Sequence, residues 1–427
     1  MKKTIKLRKL VVLLVVITML STIAFGCKSD DTDDENVLTV GVLGPMTGPG
    51  AHVGEQFKAV CEMEFEKIDY KVGPYKIKLK YIDDESNPEK ATRTYEEAIV
   101  KDKIQCGILG WNSEVSLAVM DVVAKYQIPH FYSLSTTKVI NEKALSDPDK
   151  YKVYVAKWWA SPGKTMMGYA EAINLAIENG TWSPNKKVLG VYGVDNDWGR
   201  DFGEEAIKVF KDYGWEIVGP EFTPMGETDF YPLLKKFKDN GATLLIGTCA
   251  DPAAVSSFCK QADELGVPAI RILDGLGWFG DWYQLTGDSA NYVLDLIPQW
   301  TKPEAKEFRD NFKDRFGYEP GPSNAGLAYD AVCFFIENLQ DCYDKYGKLD
   351  KETLLKYATE EVQTGKVSFT NGILMDEYVF TDETWPDPEV GVTKYFIPVI
   401  QYFEGKGTVI WPEEYKQADI VVPDYAK

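Results

Sequence analysis

LTVGVLGPMTGPGAHVGEQFKAVCEMEFEK, residues 38–67, changes its period twice. The apolar run at 38–43 suits a strand covered on both faces; a Gly/Pro segment follows, and apolar residues then recur at helical spacing. Gly41, Gly44, Gly48, Gly50 and Gly54, with Pro45 and Pro49, give a loop that turns sharply and lets its backbone approach a ligand. The helix beyond presents free N–H groups, a setting that favours a bound anion. A bare strand-to-helix turn would use the same glycines, so neighbouring segments decide the matter.

They repeat the unit. An alternating strand at 75–82 leads to Asn87-Pro88, a cap and first-turn proline for a helix to about 101. A strand at 104–109 is followed by Gly110, Trp111, Asn112 and Ser113, with Ser113 read as the cap of a helix to Tyr126, and a fourth strand spans 129–132. A second set starts after 151–156: helix 161–178, strand 188–192, a helix after Trp198-Gly199, strand 216–218, helix 230–239, strand 243–246, helix 252–265 and strand 269–273. The chain continues through 292–297, helices at 303–316 and 323–345, and strand-like runs at 395–402 and 409–411. This alternation predicts parallel sheets covered by helices on both faces, with ligand groups at the C-terminal ends of strands. TVGVLG from Thr39 echoes VLGVYG from Val188, which supports two similarly built lobes. Short strand-like crossings between them, in place of a flexible linker, would act as a hinge.

The N-terminus reads as an export signal: Lys2, Lys3, Lys6, Arg8 and Lys9 precede an uncharged apolar run at 10–25. The run ends in Ala24, Phe25, Gly26 and Cys27, which resemble the lipobox of bacterial lipoproteins, with Ala24 where Leu is commoner. That resemblance implies cleavage before Cys27, lipid attachment at its sulfur, and a mature protein tethered at the outer face of the cytoplasmic membrane, with 27–36 as a solvated tether. Removing 1–26 takes five basic and no acidic residues from a net charge of −19, leaving −24. Such a chain repels a phosphate backbone, so nucleic acid is not an expected partner, and the membrane is reached through the lipid anchor only. Six cysteines remain, with no C-x-x-C motif and only His52 and His130 beside them, so no metal site and no cofactor are expected.

Several motifs fail on context. GLGWFG from Gly275 matches a dinucleotide fingerprint, but DWYQLTGDS after it opens a helix poorly. Gly163-Lys164-Thr165 lacks the upstream glycine of a phosphate loop, since Trp158 stands there; DNDWGRDFGEE places Gly199 one position early for a calcium loop. No G-x-S-x-G or H-E-x-x-H occurs, and no catalytic residue is assigned.

Read in order, VGVLGPMTGPGAHVGE at Val40, YIDDESNPEKA at Tyr81, CGILGWNSEVSLA at Cys106, IPHFYSLSTT at Ile128, NDWGRDFGEEA at Asn196, AYDAVCFFIENL at Ala328 and GKGTVIWPEEY at Gly405 resemble the leucine/isoleucine/valine-binding type of extracellular solute receptor of ABC importers. The resemblance implies the type I periplasmic-binding-protein fold: α/β, with two similar doubly wound lobes joined by a three-crossing hinge. The N-terminal lobe would take 37–155 and 298–391, and the C-terminal lobe 156–297 and 392–427. It further implies a small amino acid of the branched-chain type, or a related carboxylate, trapped on closure and presented to a membrane permease. An aromatic acid, a small amide, or a sensory lipoprotein with the same lobes are the alternatives; a hydrolase on this scaffold has no sequence feature in its favour.

In that family the ligand carboxylate is held by the loops after the third and fourth strands, here 111–113 and 133–137. Trp111, Asn112, Ser113, Ser133, Ser135 and Thr136 are the residues so placed, with the aromatic Tyr132 beside them, and hydroxyls with helix amides complement an anion without a buried counter-cation. A ligand ammonium needs an acid from the second lobe, for which Asp251 and Asp274 are candidates; where the family tends to place a glutamate this chain reads LDGLGWFG. Trp158, Trp159 and Trp278 join an aromatic wall, Trp198 stands where the family has a tyrosine that closes over the ligand, and His52 or Val53 replaces another family aromatic.

Overall fold

The computed structural model describes residues 36–278, 282–300, 302–391 and 393–427; the export signal, Cys27 and the tether before Asn36 lie outside the described residues. β1 (Val37–Gly44), α1 (Ala51–Lys67), β2 (Lys71–Val72), β3 (Tyr75–Asp83), α2 (Pro88–Val100), β4 (Cys106–Leu109), α3 (Ser113–Tyr126) and β5 (His130–Phe131) follow in order. Their strands form one sheet in the order β2-β3-β1-β4-β5, parallel except for β2. β1 is central: Val40 pairs with Leu79 on one side and Cys106 on the other, and Leu38, Val40 and Val42 are fully buried, as a strand covered on both faces requires. Asn87 caps α2 by accepting from the Lys90 amide at 2.8 Å, with Pro88 in the first turn.

After α4 (Lys138–Ser146) and α5 (Pro148–Tyr151), the chain builds a second layered unit from α6 (Pro162–Glu178), β6 (Val188–Val194), α7 (Asp197–Asp212), β7 (Glu216–Thr223), α8 (Tyr231–Asp239), β8 (Leu244–Thr248), α9 (Pro252–Glu264), β9 (Ile270–Asp274), α10 (Trp282–Thr286) and β10 (Leu294–Leu296). It then returns to the first unit. α11 (Glu304–Phe316) carries Arg315, which grips Glu66 of α1 through both guanidinium nitrogens at 2.6 and 2.8 Å, and α12 (Leu327–Tyr346) packs along α1. α13 (Lys351–Tyr357) and the hairpin β11 (Ser368–Phe369) and β12 (Tyr378–Val379) complete that side. The chain last crosses into β13 (Val399–Phe403) and β14 (Lys406–Trp411), which close the second sheet in the order β14-β13-β10-β9-β8-β6-β7. β13 runs antiparallel to both β10 and β14, which explains why the tail reads as alternating strands with no helix between them.

Three passages thus join two α/β lobes, and the first and third touch: the Lys157 amide donates to Pro386 O at 2.7 Å. After Tyr151 ends α5, residues 152–156 form one isolated bridge, His130 with Tyr154, and not a strand. The helix expected from Ser323 begins as a π-turn at Pro322–Gly326, and Ser113 is the first residue of α3, with Asn112 at the cap position. The six cysteines from Cys61 to Cys342 are unpaired, and all but Cys333 are buried.

The two lobes repeat one packing device. A Cβ on Gly54 would lie 2.4 Å from Pro45 O, and one on Gly199 would lie 2.1 Å from Val194 O, so each helix touches the backbone of the turn that precedes it. Gly54→Ala and Gly199→Ala are each expected to cost about 1–3 kcal/mol through this overpacking, read as a fall of several degrees in melting temperature; an unchanged melting point would contradict the contact.

Candidate functional site

Parallel strands deliver the turns after β4 and β5 to the same edge of the first sheet. Both turns are backbone-strained, with Leu109 at φ 66° and Tyr132 at φ 49°, and Gly110 at φ 120° completes the first. His130 braces that turn: its Nε2–H donates to Leu109 O at 2.6 Å while Nδ1 accepts from the Tyr95 hydroxyl at 2.9 Å. Burial pulls the imidazole down to about 4, so it is neutral and structural.

α3 opens at Asn112 without a cap from that side chain, and in its first turn the Glu114 carboxylate folds back on its own N–H. Ser113 Oγ accepts from the amides of Thr136 and Thr137, both at 3.3 Å, and so binds the two turns together. Ser135 is otherwise engaged. Its hydroxyl lies 2.6 Å from Ser116 Oγ and 3.0 Å from Ser133 Oγ, and donates toward Trp111 O and Asn112 O at 3.2 and 3.3 Å.

A solvent-open pocket lies between the lobes, with about 360 Å³ free of atoms when the space at its open mouth is included. From the first lobe it takes Trp111, Asn112, Ser113, Leu134 and Thr136; Trp159 comes from the first passage, and Asn196, Trp198, Ala250 and Trp278 from the far side. Trp278 is the hub of the indoles, with ring centroids 5.2 Å from Trp111, 6.1 Å from Trp159 and 4.9 Å from Trp198. Its carbonyl accepts from Asn324 Nδ2 at 2.9 Å, a contact made by the π-turn of the opposite lobe. Among the described residues, three lining side chains carry a buried polar atom with no partner: Asn112 Oδ1, Thr136 Oγ1 and Trp278 Nε1. An unpartnered buried polar atom costs about 1–3 kcal/mol, so three around one space mark where a solute's own polar groups belong.

Seven of the residues singled out in the sequence therefore line the pocket: Trp111, Asn112, Ser113, Thr136, Trp159, Trp198 and Trp278. Six stand behind it or elsewhere. Tyr132 and Trp158 are fully buried, Tyr132 stacked on Phe334 and Trp158 on Tyr378, and Ser133 and Ser135 are tied into the hydroxyl cluster. Asp251 caps α9 through the Ala254 amide at 2.9 Å and also accepts from Gly226 N. Asp274 accepts from the Tyr169 hydroxyl at 2.9 Å, and burial together with the neighbouring Asp295 drives its carboxyl well above the usual range. Leu134, Asn196 and Ala250 line the pocket without having been foreseen. For Asn196 a signal exists, because Asn before Asp197 at a helix start is a cap pattern, and Asn196 Oδ1 does accept from Gly199 N at 2.9 Å. The amide of Asn196 also bonds the Glu114 carboxylate, whose Oε2 is buried without a partner.

Lys138 ties the first lobe to α7. Its amide donates to Asp201 Oδ2 at 2.6 Å, and its ammonium lies 3.2 Å from each of Asp201, Glu204 and Glu205 on α7. Among the described residues no cluster of His, Cys, Asp and Glu is arranged to hold a metal, and no helix is long and apolar enough to cross a membrane.

The family described as "Periplasmic binding protein" matches residues 37–374. The Leu/Ile/Val-binding protein homolog 6 of Brucella suis biovar 1 is 26% identical over 242 residues, which is 56% of this chain and 57% of that protein, so the match spans little more than half of that relative. The leucine-, isoleucine-, valine-, threonine-, and alanine-binding protein of Pseudomonas aeruginosa is 22% identical over 369 residues, 82% of this chain and 90% of its own. In fold, the chain is similar to the solute binding protein of an ABC transporter from Rhodopseudomonas palustris BisB5 crystallised with 3,4-dihydroxy benzoic acid, with a TM-score of 0.69, 22% identity, and 87% and 95% of the two chains covered.

Burial raises the carboxyls of Asp84, Glu114, Asp295 and Asp330 to about 7. Between about 4, where unfolded carboxyls ionise, and about 7, the folded chain holds more protons than the unfolded one, so stability falls as pH rises through that window. Melting temperature is expected to be higher at pH 5 than at pH 8, and Glu114→Gln is expected to shrink the difference; an equal or larger difference in the variant would contradict the reading of Glu114.

Proposed function

We propose that this chain, which belongs to the periplasmic binding protein family, is the extracellular receptor of an ABC importer and closes its two lobes, 37–155 with 298–391 and 156–297 with 392–427, on a small carboxylate-bearing solute. Family and fold are those of solute-binding proteins and not of enzymes. The observation that carries the ligand class is the pocket's division of labour: uncapped α3 amides with Asn112 and Thr136 at one end, and four indoles around the rest. Amides at a helix N-terminus favour negative charge, and indole faces cover an apolar body. Two charge-assisted contacts at about 1.5–3 kcal/mol each and a Leu-sized side chain at about 1.5–3 kcal/mol approach the roughly 8 kcal/mol of a micromolar complex.

A branched-chain amino acid is the first reading, in line with the relatives named for leucine, isoleucine and valine. On this reading Glu114, not Asp251 or Asp274, is the acid nearest to an amine, because its free Oε2 belongs to a side chain already bonded to the lining Asn196. An aromatic acid is the second reading, favoured by the four-tryptophan lining and by the dihydroxybenzoate relative. Delivery to a permease, and tethering through Cys27 at the outer face of the cytoplasmic membrane, complete the proposal.

A ligand that binds only the folded form raises its melting temperature by mass action. In a thermal-shift screen of the soluble chain from Ser29, L-leucine, L-valine, 4-hydroxybenzoate, short amides and urea are to be compared. A carboxylate hit is expected, and Thr136→Ala should weaken it about tenfold, as loss of a hydrogen bond to a charged group implies. Stabilisation by the amides or urea alone would refute the carboxylate assignment. 4-Methylpentanoate separates the two readings: if it matches L-leucine, no acid serves an amine.

A further inference from the structure

Lys157 lies on the first passage and Asp387 on the third, both side chains fully buried, with Nζ 2.9 Å from Oδ1. A buried ion pair is weak evidence for stability, since desolvation offsets much of its attraction and an apolar pair of similar size often folds as well. What an apolar pair cannot do is hold carbonyls, and Lys157 Nζ donates to two in succession: Thr136 O at 2.9 Å and Thr137 O at 3.2 Å. It also reaches Ser161 Oγ at 2.8 Å, while Lys164 of α6 approaches the other Asp387 oxygen at 3.1 Å. Burial raises the Asp387 carboxyl, but the two ammonium groups outweigh it and leave it below its ordinary value, as a charged partner would be.

Peptide geometry carries this inward. In a planar trans peptide the C=O and the following N–H point in opposite directions. With Thr136 O drawn toward Lys157, the Thr137 amide is aimed the other way, and there it meets Ser113 Oγ at 3.3 Å, alongside the Thr136 amide at the same distance. A hydroxyl that accepts two N–H groups must direct its own proton elsewhere, and Ser113 lines the pocket.

We infer that Lys157, with Asp387 as counter-ion, is the positioning residue of the solute site: it orients the 136–137 peptide so that Ser113 donates, and Thr136 is presented, to the bound solute. This rests on the carboxylate reading of the pocket. It also makes the site sensitive to the hinge, because the positioning charge and its counter-ion sit on two different passages between the lobes.

The test compares wild type with Lys157→Met/Asp387→Leu, which removes both charges together, and with Asp330→Asn, which alters a buried carboxylate away from the pocket. Melting temperature, amide hydrogen exchange at 134–138, and equilibrium binding of L-leucine and 4-hydroxybenzoate are measured on each. The double variant is expected to melt within a few degrees of wild type, to exchange at Thr136 and Thr137 at least tenfold faster, and to bind whichever probe wild type binds at least tenfold more weakly. Asp330→Asn should lower the melting temperature and leave exchange at Thr136 and Thr137 and affinity alone. Wild-type exchange at these amides in the double variant, or wild-type affinity, overturns the assignment. If neither probe binds wild type, the choice of solute fails and the exchange result still decides the role of Lys157. Should the apolar pair not fold, Lys157→Gln/Asp387→Asn is read by the same two measurements against the same limits.

Discussion

An α-helix begins with amides that its own carbonyls cannot reach, and the chain must supply acceptors for them or leave them to a visitor. α2 and α9 are closed by Asn87 and Asp251, and α7 by Asn196, but at the start of α3 the Asn112 side chain accepts nothing and only the Glu114 carboxylate turns back on its own amide. Much of the first lobe is arranged around that opening. His130 braces the turn before it, Ser113 ties it to the neighbouring turn, and the Ser116–Ser133–Ser135 cluster satisfies the hydroxyls packed beneath. What is left over, an amide end with Asn112 and Thr136 beside it, is a place for negative charge.

The second lobe contributes mainly bulk. Trp198 stands in the first turn of α7 and Trp278 follows β9; Trp278 meets Trp111 and Trp159 edge to face and Trp198 tilted, geometries that suit the indole quadrupole. Lys138 and the acids of α7 bridge the two lobes, and Asn324 pins the Trp278 carbonyl. Polar recognition thus sits largely on one lobe and apolar coverage largely on the other, so either lobe alone would offer only half a site.

The layered fold was legible because its signals are local: periods of two and 3.6, Asn87-Pro88 at a helix start, glycines where a helix touches the turn before it. The pocket was legible in part. Trp111 to Ser113, Leu134 and Thr136 follow strands of one sheet and could be placed by topology, whereas Asn196 and Ala250 became lining residues only through the approach of distant segments. Ser135 looked like a ligand hydroxyl because nothing in its own neighbourhood reveals Ser116, a full helical turn inside α3. Asp251 looked like a free acid, yet Asp251-Pro252 carries the same opening signature as Asn87-Pro88, and capping explains its carboxylate. Asp274 is the harder case, since its neighbours Tyr169 and Asp295 come from separate elements and no local pattern announces them.

The meeting of Trp278 with Trp111 across the gap has one more consequence. Indole emission shifts in colour and intensity with access to water, and these rings are shielded only while the halves are together. On the proposed closure the protein carries a built-in optical gauge: its own ultraviolet fluorescence would register the lobes coming together or parting without any attached dye.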